Sequence, residues 1–166
     1  MQAPQSTQTF CAELASLMSA HVWMLATAES CTGGMIAAAC TDLAGSSTWF
    51  DRGFVTYSNE AKCEMLAVNA NTIQVHGAVS QEVALAMAQG ALEHSNAQVS
   101  IAVTGIAGPT GGSDAKPVGT VWFAWATPAG IHSQCMRFDG DRAAVRNAAT
   151  LHALTVLCER IKNITA

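Results

Sequence analysis

Apolar residues recur at two spacings along this chain, and the switches between them mark its elements. Phe10, Leu14, Leu17 and Met18 fall at helical spacing and predict a first helix over 7–20. The run Val22-Trp23-Met24-Leu25 predicts a buried strand, and Met35-Ile36-Ala37-Ala38-Ala39-Cys40 a helix that stops near Gly45. Ser46-Ser47-Thr48 reads as a loop or the cap of a short turn. Phe54, Val55 and Tyr57 predict a strand over 50–57, followed by a short helix over 60–68 with Asn59 as its N-cap. Gly77-Ala78-Val79-Ser80 reads as a turn ending in a cap, and Val83, Met87 and Ala91 share one face of a helix over 81–95. A short buried strand over 99–104 comes next. Two further strands, 118–126 and 131–138, flank Pro128-Ala129-Gly130 as a hairpin. Asp139-Gly140-Asp141 then caps a long helix whose core face carries Leu154, Leu157 or Cys158, and Ile161. This order predicts an α/β fold: one three-layer α/β/α domain over 8–166 around a mixed, mostly parallel sheet, preceded by a flexible N-terminal tail over 1–7.

Composition narrows the function classes. Half of the 166 residues are apolar and 12% are charged, which suits a compact core and not a disordered chain. A formal charge of -4 with eight Lys and Arg gives no footprint for nucleic acid. No apolar run is long enough to span a bilayer and no signal peptide is recognisable, so a cytoplasmic protein with no membrane partner is expected. The six cysteines form no C-x-x-C pair and no zinc-like spacing with the histidines, so no metal is expected.

The chemistry concentrates where strands end. Between the first strand and its helix lies Ala28-Glu29-Ser30-Cys31-Thr32-Gly33-Gly34, and in open α/β sheets ligands bind at such carboxyl ends. Ser30 sits at that mouth, beside helix N–H groups that favour an oxyanion; a plain helix cap is the simpler use of Ser30 or Thr32. A serine needs a base, and no histidine lies in the strand-end loops. Lys62 is the candidate, because burial lowers a lysine toward neutrality and Ser–Lys pairs are workable. Tyr57 either relays the proton or is an ordinary strand aromatic. A second arrangement makes Cys31 the nucleophile with Lys62 and Glu29, but neighbours in an extended segment face opposite ways, so one of Ser30 and Cys31 faces the site. Thr104 and Gly105 open a second Gly-rich loop that runs to Gly111 and Gly112. Arg142 and Arg146, one turn apart on the last helix, suit a phosphate, the alternative being that Arg142 pairs with Asp139 or Asp141.

Five ordered blocks carry a family resemblance: Ala28 to Gly34, Gly53-Phe54-Val55-Thr56-Tyr57-Ser58-Asn59-Glu60-Ala61-Lys62, Gly77 to Ser80, Thr104 to Gly112, and Pro117-Val118-Gly119-Thr120-Val121. The chain resembles the CinA C-terminal domain family over residues 8–162. The resemblance implies hydrolysis of the carboxamide of nicotinamide mononucleotide, a small-molecule substrate, to nicotinate mononucleotide and ammonia, in pyridine nucleotide salvage. It implies a homo-oligomer, a dimer or larger, and no cofactor. It maps catalysis onto Ser30, Lys62 and Tyr57. Oxyanion or substrate contacts fall to Cys31, Thr32, Gly33, Gly34, Thr104 and Gly105. The phosphate is expected at Gly111, Gly112, Arg142 or Arg146. The rival from another class is a non-catalytic pyridine-nucleotide-binding module, in keeping with the family's association with competence and DNA damage.

Overall fold

The computed structural model describes residues 6–165. Of the tail expected over 1–7, residues 1–5 lie outside the described residues, while Ser6 caps the first helix and Thr7 belongs to it. The elements run α1 (Thr7–His21), β1 (Leu25–Glu29), α2 (Met35–Thr41), a 3-10 turn (Ser46–Thr48), β2 (Phe50–Val55), α3 (Asn59–Leu66), α4 (Ala70–His76), α5 (Gln81–Glu93), β3 (Val99–Gly105), β4 (Thr120–Thr127), β5 (Gly130–Arg137) and α6 (Arg142–Thr165). The strands form one sheet in the order β2-β1-β3-β4-β5. β2, β1 and β3 are parallel neighbours, and β4 runs antiparallel between β3 and β5, so β4 alone opposes the rest.

Strand alternation sorts the side chains into two unlike layers. Leu25, Ile101, Val103, Val121, Phe123 and Trp125 face α1, α2 and α6, where they join Phe10, Leu14, Met18, Ile36 and Leu154 in the larger core. The opposite face of the same strands presents Ala26, Ala28, Ala102, Ala124 and Ala126. These small residues let α5 lie close on the sheet through Val83, Met87 and Ala91. Ser100 and Thr104 share that face without exposing an unpaired hydroxyl: they donate to Ala88 O and Ala78 O, each at 2.8 Å. Among the described residues no helix is long and apolar enough to cross a membrane.

The structure moves some expected boundaries. The first strand begins at Leu25 and runs through Ala26, Thr27, Ala28 and Glu29, all buried, rather than over Val22 to Leu25. Val22 is instead the left-handed C-cap of α1 and is 87% exposed. A strand covered on both faces needs small residues as much as large ones. Ser58, not Asn59, caps α3, its hydroxyl accepting from Ala61 N at 3.0 Å. α4 has no counterpart in the sequence reading; one buried residue, Ile73, anchors it.

α3 is held in place from behind by α5. A Cβ on Gly90 would collide with the carbonyl of Leu66 at the end of α3. Gly90→Ala is therefore expected to push α3 outward and lower stability by about 1–3 kcal/mol. Urea unfolding with the midpoint unmoved from wild type would contradict this packing.

Candidate active site

The site begins with a buried carboxylate that folds the loop after β1. Glu29, 1% exposed, accepts N–H groups of Ile36 at 2.9 Å and Ala37 at 3.0 Å, the free donors at the start of α2. The chain reverses between them because Gly33 and Gly34 adopt left-handed angles, φ +58° and +101°. From the other side the Arg146 guanidinium donates to Cys31 O at 3.0 Å and Thr32 O at 3.2 Å. The loop is thus clamped at both ends, and Ser30 is fixed between them. Ser30 N donates to Val103 O and Gly33 N to Ser30 O. The Thr32 N–H donates to no acceptor among the described residues, while the Cys31 N–H bonds its own thiol, and Thr32, Gly33 and Gly34 do not line the cleft onto which Ser30 opens.

The second half of the site comes from α3. Lys62 is 1% exposed, and its Nζ lies 3.1 Å from Ser30 Oγ, 2.9 Å from Thr56 O and 3.5 Å from Ser58 O. No described carboxylate forms an ion pair with it. Burial therefore holds the Lys62 amine below the ordinary lysine value. Nζ donates to Ser30 Oγ and to the Thr56 and Ser58 carbonyls.

Ser30, Cys31, Tyr57, Asn59, Lys62, Thr104, Gly105, Ala107 and Arg142, with Ala78 and Val79, line one cleft of about 210 Å³ at the carboxyl ends of β1 and β3. Larger hollows, about 420 Å³ between α3 and α4 and about 500 Å³ near the α6 end, include neither Ser30 nor Lys62. The cleft is smaller than most sites for a whole drug-sized ligand, so it suits a small group and leaves the rest of a larger ligand at its mouth.

The expected site residues divide accordingly. Gly105 is needed for close approach, since a Cβ there would stand 2.7 Å from Val121 Cγ2 and 3.1 Å from Cys31 Sγ. Cys31 packs into the core, and burial pushes its thiol up to about 11. With Glu29 committed to α2, the Cys31–Lys62–Glu29 arrangement is not assembled. Tyr57 is 60% exposed at the rim; its hydroxyl accepts from Arg142 Nη2 at 2.8 Å and bonds neither Ser30 nor Lys62. Arg142 also donates to Gly108 O at 2.9 Å and pairs with neither Asp139 nor Asp141. Arg146 is occupied with the Ser30 loop, and Gly111 and Gly112 do not line the cleft. Asn59, Ala78, Val79 and Ala107 complete the walls without having been expected there. For Asn59 the available signal was its spacing of three from Lys62 on one helix.

Residues 7–161 match the CinA C-terminal domain family. The chain is 53% identical to the nicotinamide-nucleotide amidohydrolase PncC of Enterobacter agglomerans over 91% of its own length and 93% of the relative's. It is 56% identical to the protein of that name from Escherichia coli (strain K12), over 81% and 82%. It superposes with a TM-score of 0.92 on the crystal structure of the competence damage-inducible protein A (ComA) from Klebsiella pneumoniae, at 43% identity, covering 95% of this chain and 98% of that one. The chain belongs to the CinA C-terminal domain family.

The thiol chemistry of the site can be read directly. With its thiol raised to about 11, Cys31 stays protonated at neutral pH and is shielded. Brief iodoacetamide treatment at neutral pH is expected to label exposed Cys135 and to spare Cys31 by peptide mass mapping. Labelling of Cys31 ahead of Cys135 would restore it as the nucleophile.

Proposed function

We propose that this member of the family is a nicotinamide-nucleotide amidohydrolase in which Ser30 is the nucleophile and Lys62 the base. Supporting the activity is identity above 50% to amidohydrolases of that name over four fifths or more of both chains. The observation that carries the mechanism is the 3.1 Å approach of a buried lysine without a carboxylate partner to a serine at the mouth of a cleft.

Neutral Lys62 takes the Ser30 proton as Oγ attacks the carboxamide carbon of nicotinamide mononucleotide. The carbonyl oxygen becomes an oxyanion held by backbone N–H groups of the Ser30 loop or of Thr104 and its neighbours. The tetrahedral intermediate collapses with loss of the C–N bond. Lys62 returns its proton to the departing nitrogen, which leaves as ammonia, and an ester remains on Ser30. Water, deprotonated by Lys62, attacks that ester; the same proton then restores the Ser30 hydroxyl as nicotinate mononucleotide departs. Every proton is handled by one amine, so the chemistry asks for no metal or cofactor.

The ribose phosphate lies at the mouth, where Arg142 and Tyr57 meet and where a guanidinium suits a phosphate dianion. Tyr57 thus serves in positioning at the rim, and Arg146 by holding the Ser30 loop. The reading places the protein in the cytoplasm, where its six free cysteines stay reduced, as a homo-oligomer that works without nucleic acid.

Ammonia release from nicotinamide mononucleotide tests the proposal. Ser30→Ala is expected to abolish it and Lys62→Ala to reduce kcat by at least about 10²–10⁴-fold with the fold retained. In the wild type the deprotonated lysine is the working form, so kcat/KM rises with pH through the Lys62 titration. Because that titration is lowered, the rise ends below the range of an ordinary lysine. Bound nucleotide with no ammonia from the wild type would hand the domain to the binding-module reading.

A further inference from the structure

One polar side chain in the cleft has no task in the scheme above. Asn59 is the first residue of α3 and Lys62 follows three positions later, so the two project from the same side of the helix. Lys62 reaches Ser30 from there, and Asn59 lines the same cleft. Capping does not occupy Asn59, because Ser58 caps α3. Its side-chain amide makes no hydrogen bond to any described residue, and exposed Asn59 lines both this cleft and the neighbouring hollow between α3 and α4. With Lys62 neutral, Arg142 is the charged side chain on the cleft walls, while Glu60 and Glu64 line the hollow on the other side of Asn59, so the carbonyl end of this amide is drawn toward the cleft.

We infer that Asn59 reads the carboxamide of the substrate and sets the preference for amide over acid, an assignment that rests on the amidohydrolase reading. A carboxamide offers an oxygen that accepts and a nitrogen that donates. With the oxygen on backbone N–H groups of the Ser30 loop, the –NH₂ turns toward the α3 wall that carries Lys62 and Asn59. Asn59 Oδ1 accepts one N–H and keeps the nitrogen aimed at the amine that will protonate it. After hydrolysis a carboxylate oxygen stands where the –NH₂ was. It has no hydrogen to donate, so two acceptors face each other and the product loses the contact that held the substrate. The site thereby favours release of its own product without any movement of the protein.

The test is the inhibition constant of nicotinate mononucleotide set against KM for nicotinamide mononucleotide in the wild type, Asn59→Ala and Asn59→Asp. Asn59→Ala is expected to raise KM about tenfold with a smaller change in kcat, so that the acid-to-amide ratio falls about tenfold. Asn59→Asp keeps an acceptor and adds a charge; it is expected to hold KM within about threefold and to weaken acid binding at least about tenfold. An unchanged ratio in Asn59→Ala, or an Asn59→Asp that loses the amide and gains the acid, overturns the assignment. Thermal melting checks that each variant is folded. A wild type that releases no ammonia sinks the amidohydrolase reading instead; calorimetric binding of the two nucleotides to the same three proteins then decides Asn59 separately, by the same ratios.

Discussion

The structure depends on a lysine amine placed where it is poorly solvated and has no counter-charge. Lys62 is nearly inaccessible, and its surroundings offer two backbone carbonyls and one serine hydroxyl instead of a carboxylate. Neutralising the amine relieves most of the cost of burying an ammonium without a partner. In the proposed mechanism the neutral amine is also the base, so stability and chemistry would ask for the same protonation state.

The rest of the domain holds that pair in register. Parallel β1 and β3 end side by side, so the loop with Ser30 and the loop from Thr104 and Gly105 open onto one edge. Glu29 and Arg146 clamp the serine loop by charge-assisted bonds to backbone, one at the start of α2 and one at the carbonyls of Cys31 and Thr32. The alanine face of the sheet lets α5 come close, and α5 supports α3 through Gly90. Small residues thus set the distance between serine and lysine as firmly as the polar contacts do.

Much of this was legible in the sequence where the signal is local. Ser30 to Gly34 and Thr104 to Gly105 follow strands as short runs of small residues, and Lys62 stands in a chain with few lysines and no histidine in its strand-end loops. The expected layers and hairpin are present, with β4 alone opposing the other strands. What the sequence hid depends on distant contacts. The apolar run at Val22 reads as a strand, yet the strand proper uses alanines because both of its faces are covered. Arg142 and Arg146 look equivalent on one helix, but a turn of rotation sends one to the cleft mouth and the other to the carbonyls behind Ser30. No local pattern separates a loop glycine that lines a cleft, such as Gly105, from Gly111 and Gly112, which do not.

The central claim is that Lys62 is delivered to Ser30 as a neutral amine. Its most direct test is an NMR titration of the Lys62 side chain in the folded protein, with lysine labelled at Cε and the resonance assigned by Lys62→Met. The account predicts a titration shifted below the ordinary lysine range and moved by Ser30→Ala, because the hydroxyl is hydrogen-bonded to the amine. A Lys62 that stays protonated up to the ordinary value of 10.5 would contradict it, and the base would have to be sought elsewhere.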